Sequence, residues 1–413
     1  MLSGAKRNCS SGGNASLRVV FVPVWKNFKV ICCFRQTFQR AAHPADKWKT
    51  GRKRLAARAV FGHIGRVTDE SAVPAPTPHK RRKRYSGKNP RRFEDKYKEH
   101  GSDAETIAKV LASGKTPAGT HRSIMVTEIL TVLAPKPGEL AVDCTLGYGG
   151  HAQEILARLA PGGRLLGLDV DPVEQPKTEA RLRELGFGPE VFTAHRSNFA
   201  GLAQVLAGQG VAGADLIIAD LGVSSMQIDD PARGFSVKYD GPLDMRMNPQ
   251  RGQPAAALLQ KIKPAALDEL LTVNADEPNA AHLASALAEK NFTSTLHLAS
   301  VIRATLPRLS RDDADLTVRR VFQALRIAVN DEFSALDTFL RHLPASLKPG
   351  GRVAILTFHS GEDRRVKKAF ASGHEDGVYA EIAQEVMRPS PAEQHANPRS
   401  ASAKLRWAVR AAN

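Results

Sequence analysis

Leu140-Ala-Val-Asp-Cys-Thr-Leu-Gly-Tyr-Gly-Gly-His151, followed by Arg164-Leu-Leu-Gly-Leu-Asp169, is the stretch on which the fold turns. Leu140–Asp143 reads as a short buried strand and Thr145–Gly150 as a glycine-rich turn. His151–Leu159, with Ile155, Leu156 and Leu159 at helical spacing, reads as the helix that follows. Gly162-Gly163 closes that helix, and Arg164–Asp169 is the second strand. The alternation continues downstream, with Glu179–Leu185 in a second helix, a third strand at Glu190–Thr193 and a strongly apolar fourth at Ala214–Asp220. Upstream, Val126–Leu133 predicts a helix ahead of a turn at Pro137-Gly138. Strands that alternate with helices predict an α/β protein with a doubly wound, mostly parallel sheet.

Such a sheet binds ligands where the first strand hands over to its helix. The glycines of Gly147-Tyr-Gly-Gly150 let backbone approach a ligand closely, and the helix they open presents free N–H groups to an anionic moiety. Asp169, at the end of the second strand, is placed to accept hydrogen bonds from ribose hydroxyls. These features fit a dinucleotide as well as S-adenosylmethionine, because Gly147-x-Gly149-x-x-Ala152 satisfies the relaxed dinucleotide fingerprint. Asp220-Leu-Gly-Val-Ser-Ser225, ending the fourth strand, favours methyl transfer to an exocyclic amine. The lone pair of such an amine is delocalised into its ring, and a carboxylate accepting its N–H bonds turns that pair toward the methyl donor. Asp220 is the candidate for that role; contact with the cofactor methionine, or a turn-capping Asp, would suit its position too.

The 413 residues exceed one ordinary domain. Residues 1–120 hold 26 Lys+Arg against 8 Asp+Glu, whereas residues 121–413 hold 33 against 34, so the basicity lies wholly in the leading segment. That segment includes His79-Lys-Arg-Arg-Lys-Arg84 and Lys88-Asn-Pro-Arg-Arg92, with Tyr85, Phe93 and Tyr97 interspersed, a texture that suits either RNA contact or a solvated linker. Residues 1–68 carry 14 Lys+Arg and Asp46 as their one acid, as an organelle transit peptide or an over-long translated start would. Cys9, Cys32, Cys33 and Cys144 have neither disulfide nor zinc spacing, so no metal site is expected. Lys26 and Lys29 interrupt the most apolar early stretch, and no membrane span is predicted.

From His121 to Arg410 the sequence resembles the bacterial cytosine-N4 ribosomal RNA methyltransferases of the MraW/RsmH type and their mitochondrial relatives. The resemblance rests on Asp143-x-Thr-x-Gly-x-Gly-Gly-His151, Leu168-Asp-x-Asp-Pro172, Asp220–Ser225 with Gln227, Arg233-Gly-Phe-Ser236 and Asp240–Met247. It continues in Phe322–Arg326 with Val329-Asn330, Leu347–Arg352, Phe358-His-Ser360 with Glu362-Asp-Arg364, Asn397-Pro-Arg399 and Ser402–Arg406. It implies a class I Rossmann-like methyltransferase fold and S-adenosylmethionine as cofactor. Gly149, Gly150 and His151 would touch that cofactor, Asp169 its ribose and Phe199 its adenine, with Asp220 and Gln227 completing the site. It further implies small-subunit ribosomal RNA, or the small ribosomal subunit, as partner; the sequence leaves the oligomeric state open, a homodimer being one candidate. Location would be cytoplasmic, or mitochondrial if residues 1–68 are a transit peptide.

The expected organisation is a basic extension (1–115), a first part of the methyltransferase core (116–245), an inserted helical substrate-recognition domain (246–317) and a second core part (318–413). Helices are predicted at Ala255–Gln260, Ala265–Thr272, Asn279–Lys290, Leu296–Leu306 and Phe322–Leu340, and strands at Arg352–Phe358 and Lys404–Val409. Arg233 and Arg246 are read either as RNA phosphate contacts or as partners of Asp229, Asp230 or Asp244. Two departures stand out. Val273-Asn-Ala-Asp-Glu277 replaces the Tyr-Gly-Glu-Glu usual in the family, and Gly361 replaces a leucine, which should loosen the helix that follows. Three rival readings are a nucleotide-dependent oxidoreductase, a non-catalytic RNA-binding module and a DNA amino-methyltransferase.

Overall fold

The computed structural model describes residues 123–412. The expectations for the basic extension, the transit segment and Cys9, Cys32 and Cys33 lie outside them. Seven strands form one sheet in the order β3-β2-β1-β4-β5-β7-β6. They are β1 (Leu140–Asp143), β2 (Arg164–Asp169), β3 (Phe192–Arg196), β4 (Ala214–Asp220), β5 (Leu347–Thr357), β6 (Tyr379–Ile382) and β7 (Lys404–Arg410). The first five are parallel, and β7 runs antiparallel between β5 and β6. The mostly parallel, doubly wound sheet read from the sequence is thus present.

Alternation along the strands fills both faces. In β4, Leu216 and Ile218 join one core with Ile129 and Leu133 of helix α1 (Val126–Leu133) and Ile155, Leu156 and Leu159 of α2 (Gly150–Leu159). Ile217 and Ala219 join the other. That second core takes Leu202 and Leu206 from α4 (Leu202–Gly208), while α3 (Glu174–Glu184) adds Leu182 to the first. Because β1 lies between β2 and β4, the strand order reverses there, and their carboxyl ends form the crevice where such sheets take ligands. Asp143, Asp169 and Asp220 end these three strands.

After α5 (Ser225–Asp229) and an irregular stretch come α6 (Ala255–Lys261), α7 (Pro264–Ala275), α8 (Ala280–Leu287), α9 (Thr295–Thr305) and α10 (Arg311–Asn330). Their apolar faces share a separate core built on Leu259, Leu271, Leu283, Leu298, Val321 and Leu325. α11 (Glu332–Ser346), α12 (Ser360–Glu375) and the short α13 (Pro391–Ala396) complete the chain. Among the described residues, no helix is long and apolar enough to cross a membrane.

Three sequence expectations need correction. The third strand runs over Phe192–Arg196, because Gly188 accepts from the Val191 and Phe192 N–H groups in a turn that delays it. The edge strand β6 was not foreseen; of its four residues Tyr379 alone is buried, and it lacks both the apolar run of β1 and any alternation. The single helix expected over Phe322–Leu340 is two, α10 and α11, broken at Asp331, whose φ of 51° lies in the left-handed region that Asp tolerates better than most residues. The break has a structural consequence. On a continuous helix Arg326 and Glu332 would face different sides, whereas here the guanidinium meets the carboxylate through two 2.8 Å hydrogen bonds.

Candidate active site

The carboxyl ends of β1, β2 and β4 open onto a cavity of about 390 Å³. Its floor is the glycine turn. Gly149 has φ +77°, and a Cβ there would lie 2.9 Å from Thr178 Cγ2; one on Gly150 would lie 2.0 Å from Ser123 Oγ. A side chain at 149 would be strained by that dihedral and would crowd Thr178, whereas one at 150 would require the Ser123 hydroxyl to turn away. The Gly147 N–H donates to Asp169 Oδ2 at 2.7 Å, and the Asp171 N–H to Asp169 Oδ1 at 2.8 Å, which fixes the carboxylate beneath the turn. Burial pushes the Asp169 carboxyl up to about 6, against the pull of those two N–H donors.

Asp143 is buried and accepts from the Thr145 N–H at 3.0 Å. Burial lifts its carboxyl to about 6 as well; His151 opposes this, and the charges of Asp220 and Asp169 add to it. The Thr145 hydroxyl in turn accepts from the Asp220 N–H at 2.6 Å, so β1 and β4 are locked together where their acids emerge. The Asp220 side chain keeps 30% of its surface exposed, with Oδ2 3.6 Å from His151 Nε2. That buried ring nitrogen has no hydrogen-bond partner among the described residues. Phe199 reaches the cavity with its ring edge-on to Phe339, centroids 5.7 Å apart.

Gln227 also lines the cavity, but the protein engages both of its polar atoms. Its Oε1 accepts from the Ser224 N–H (2.9 Å) in the capping box that starts α5, and its Nε2 donates to Asp171 Oδ2 (2.8 Å). The fully buried Asp171 takes a second charge-assisted bond from Arg233 at 2.8 Å. Arg233 is therefore committed to an acid that the sequence reading did not pair with it. Arg246 is engaged with Asp244 at 2.7 and 2.8 Å, which is the ion-pair reading.

The far wall holds residues to which the sequence reading gave no role: Met247, Arg326, Asn330, Glu332 and Glu362. Burial raises the Glu362 carboxyl, but His359, the Arg326 charge and the Phe358 N–H outweigh it and hold the group below the usual range. His359 does not line the cavity; its Nε2 lies 3.1 Å from Glu362 Oε1, and its ring tilts against Phe333. Ligand atoms of Glu332, His359 and Glu362 come within 4.8 Å of one another, and the Arg326 guanidinium already supplies the cation in that cluster. A Cβ on Gly361 would lie 2.6 Å from Phe333 Cζ, so the Phe333 ring fills the space a leucine would need. Arg365 covers that ring at 3.7 Å.

The cavity's charge is informative. Asp169, Glu174, Asp220, Glu332 and Glu362 line it against two cations, Arg326 and Arg399, which are paired with Glu332 and Asp229. A surplus of carboxylates favours a cationic ligand and disfavours a pyrophosphate. A sulfonium centre answers that description, and a family model described as the MraW methylase family matches residues 118–411. The chain belongs to that family. As a member of the MraW methylase family it is a methyltransferase, and its cofactor is S-adenosylmethionine. It is 48% identical over 344 residues to ribosomal RNA small subunit methyltransferase H 1 of Lachnoclostridium phytofermentans, spanning 81% of this chain and 93% of that one. Identity is 49% over 342 residues to ribosomal RNA small subunit methyltransferase H 2 of Alkaliphilus metalliredigens (80% and 97%). It is 48% over 344 residues to ribosomal RNA small subunit methyltransferase H 1 of Agathobacter rectalis (81% and 98%).

Proposed function

We propose that this chain transfers the methyl group of S-adenosylmethionine to the N4 amine of a cytidine in small-subunit ribosomal RNA. The observation that carries the reading is the open Asp220 carboxylate, on backbone held by the Thr145 hydroxyl, lining an acid-rich, glycine-floored cavity. The ribosomal RNA substrate rests on relatives named ribosomal RNA small subunit methyltransferases, which align over nearly their whole length.

The residues fit the cofactor. Glycines at 147, 149 and 150 put no side chain on the turn and leave its backbone to meet the methionine end, and Asp169 retains lone pairs for the ribose hydroxyls. Phe199 offers a ring to the adenine. When bound, the cofactor supplies an electrophilic sulfonium methyl. Asp220 accepts the amine N–H bonds and aims the lone pair along the line of transfer. His151, whose Nε2 lies 3.6 Å away, would orient the Asp220 carboxylate on closing to hydrogen-bond distance. The N–C bond would form as the methyl–sulfur bond breaks, leaving the cofactor as its neutral thioether, and the amine proton then leaves nitrogen for Asp220 or water. A base paired within RNA cannot enter the cavity, so the target nucleotide must be splayed out of its strand.

Small subunits from cells lacking this protein should contain unmodified cytidine at one position that becomes N4-methylcytidine after incubation with the protein and tritiated cofactor. Mass spectrometry of nuclease digests reads the outcome, and label in any other nucleoside would refute the N4 assignment. Cofactor affinity should also depend on pH. Ribose hydroxyls donate to the ionised Asp169, and the free carboxyl titrates at about 6, so binding draws a proton off the enzyme below that pH. Affinity should rise between pH 5 and 7 and level off above, by up to about tenfold per unit below the pKa. Calorimetric titration at constant ionic strength checks this, and Asp169→Asn should bind weakly at every pH with a flatter profile.

A further inference from the structure

Arg233 and Arg246, which the sequence offered either to RNA or to nearby acids, are consumed by Asp171 and Asp244. Two others are not. Arg196 ends β3 beside Asp169, and Arg251 lies in the irregular stretch before α6; both are exposed, and neither has an acidic or hydrogen-bonded side-chain partner among the described residues. They line one polar groove together with Asn198, Asn248 and Gln250, and no carboxylate lines it.

The hydrogen bonds at the groove leave donors facing outward. Asn198 spends its carbonyl oxygen on the Ala200 N–H (2.9 Å), and Asn248 spends its own on the Gln250 N–H (2.9 Å). Each side-chain amide therefore keeps its NH₂ free, adding neutral donors to two guanidinium forks. This donor-rich lining, free of carboxylates, contrasts with the adjacent cavity, where carboxylates dominate. The two spaces adjoin, since Val170, Ser197 and Asn198 line both, and Met247 of the cavity precedes Asn248 of the groove. An acid-lined chamber for a cation thus opens beside a cationic groove for anions.

From this juxtaposition we infer that the groove formed by Arg196, Arg251, Asn198, Asn248 and Gln250 binds the phosphodiester backbone of the RNA next to the nucleotide being modified. The inference rests on RNA being the substrate. Guanidinium forks suit phosphate oxygens, and backbone contacts fix a strand's register without reading its sequence. Holding the flanking phosphate anchors the strand while the target base leaves its stack for the neighbouring cavity.

The test uses the full chain with S-adenosylmethionine, a fluorescent single-stranded RNA and small subunits lacking the modification. The double substitution Arg196→Gln with Arg251→Gln should weaken RNA binding roughly tenfold at moderate salt. It should also lower the slope of log Kd against log salt by about one to two, the share of two phosphate contacts. Cofactor affinity should not change. The Arg196→Lys with Arg251→Lys form, which keeps the charges, should retain most of the slope. For methyl transfer, KM for the subunit should rise more than kcat falls. An unaltered salt slope in the glutamine form would overturn the groove assignment. Inorganic phosphate should displace RNA from the parent protein more than chloride does at equal ionic strength, and the same advantage of phosphate retained in the glutamine form would also overturn it. A wild-type protein that binds RNA but transfers no methyl defeats the functional reading alone, since the slope still decides the groove.

Discussion

Asp220→Asn is expected to lower kcat for methyl transfer by roughly 10²–10⁴-fold, the range that a positioned proton acceptor contributes, while leaving cofactor affinity within a few fold. The substitution is nearly isosteric, and the backbone at 220 is held from Thr145 by a bond that does not involve the side chain, so the rim should keep its shape. What changes is the hydrogen-bonding character. A carboxylate accepts at both oxygens, whereas an amide presents NH₂ on one side and would face the donor hydrogens of the target amine. Near-normal turnover in the presence of normal cofactor binding would transfer the acceptor role to backbone carbonyls of the Leu221–Ser224 turn and remove the carboxylate from the proposed mechanism. His151→Ala separates positioning from acceptance. Loss of a ring 3.6 Å from Asp220 should cost less than the Asn substitution and should move kcat without moving the KM for RNA.

Much of the frame around that carboxylate was legible because it is local. A four-residue strand running into glycines with positive φ, and a seven-residue apolar strand ending in an acid, carry their periodicity and turn chemistry within a dozen residues of chain. The resemblance then placed Gly149, Gly150, His151, Asp169, Phe199, Asp220 and Gln227 at one cleft, and all seven line the same cavity. What stayed hidden depends on contacts across long stretches of sequence or on a single dihedral. Nothing in the apolar pattern of 322–340 marks Asp331 as a break, yet that residue turns Arg326 onto Glu332 and creates the far wall. Gln227 reads as a free amide until its capping box and its bond to Asp171, 56 residues away, are seen. Arg233 was offered three nearby acids and took a fourth, because Asp171 is enclosed and can be tolerated as a charge only with a partner.

That enclosure makes Arg233→Ala the substitution with the largest expected effect on stability. Asp171 has no accessible surface and accepts from Arg233, from Gln227 and from the N–H groups of Val173 and Glu174. Removing the guanidinium leaves a buried carboxylate with neutral donors alone, a loss of about 3–5 kcal/mol for a broken buried pair. At roughly 2–4 °C per kcal/mol for a body of this size, the melting midpoint should fall by about 6–20 °C. The same arginine donates to the carbonyls of Arg246 (3.1 Å) and Met247 (2.7 Å), and Asn330 holds the Met247 N–H at 2.7 Å, so the segment that puts Met247 in the cavity is clipped from two sides. Half of that clip disappears with Arg233, and cofactor affinity should fall alongside stability. The double variant Arg233→Ala with Asp171→Asn tests the cause. If the uncompensated charge dominates, removing it should restore a large part of the lost stability, and the double-mutant cycle should give a coupling energy of about 1–3 kcal/mol. If the lost clip dominates, the double variant should melt no higher than Arg233→Ala. A single Arg233→Ala variant that melts with the parent would contradict both accounts and mean that Gln227 and the two N–H groups suffice to hold Asp171 in place.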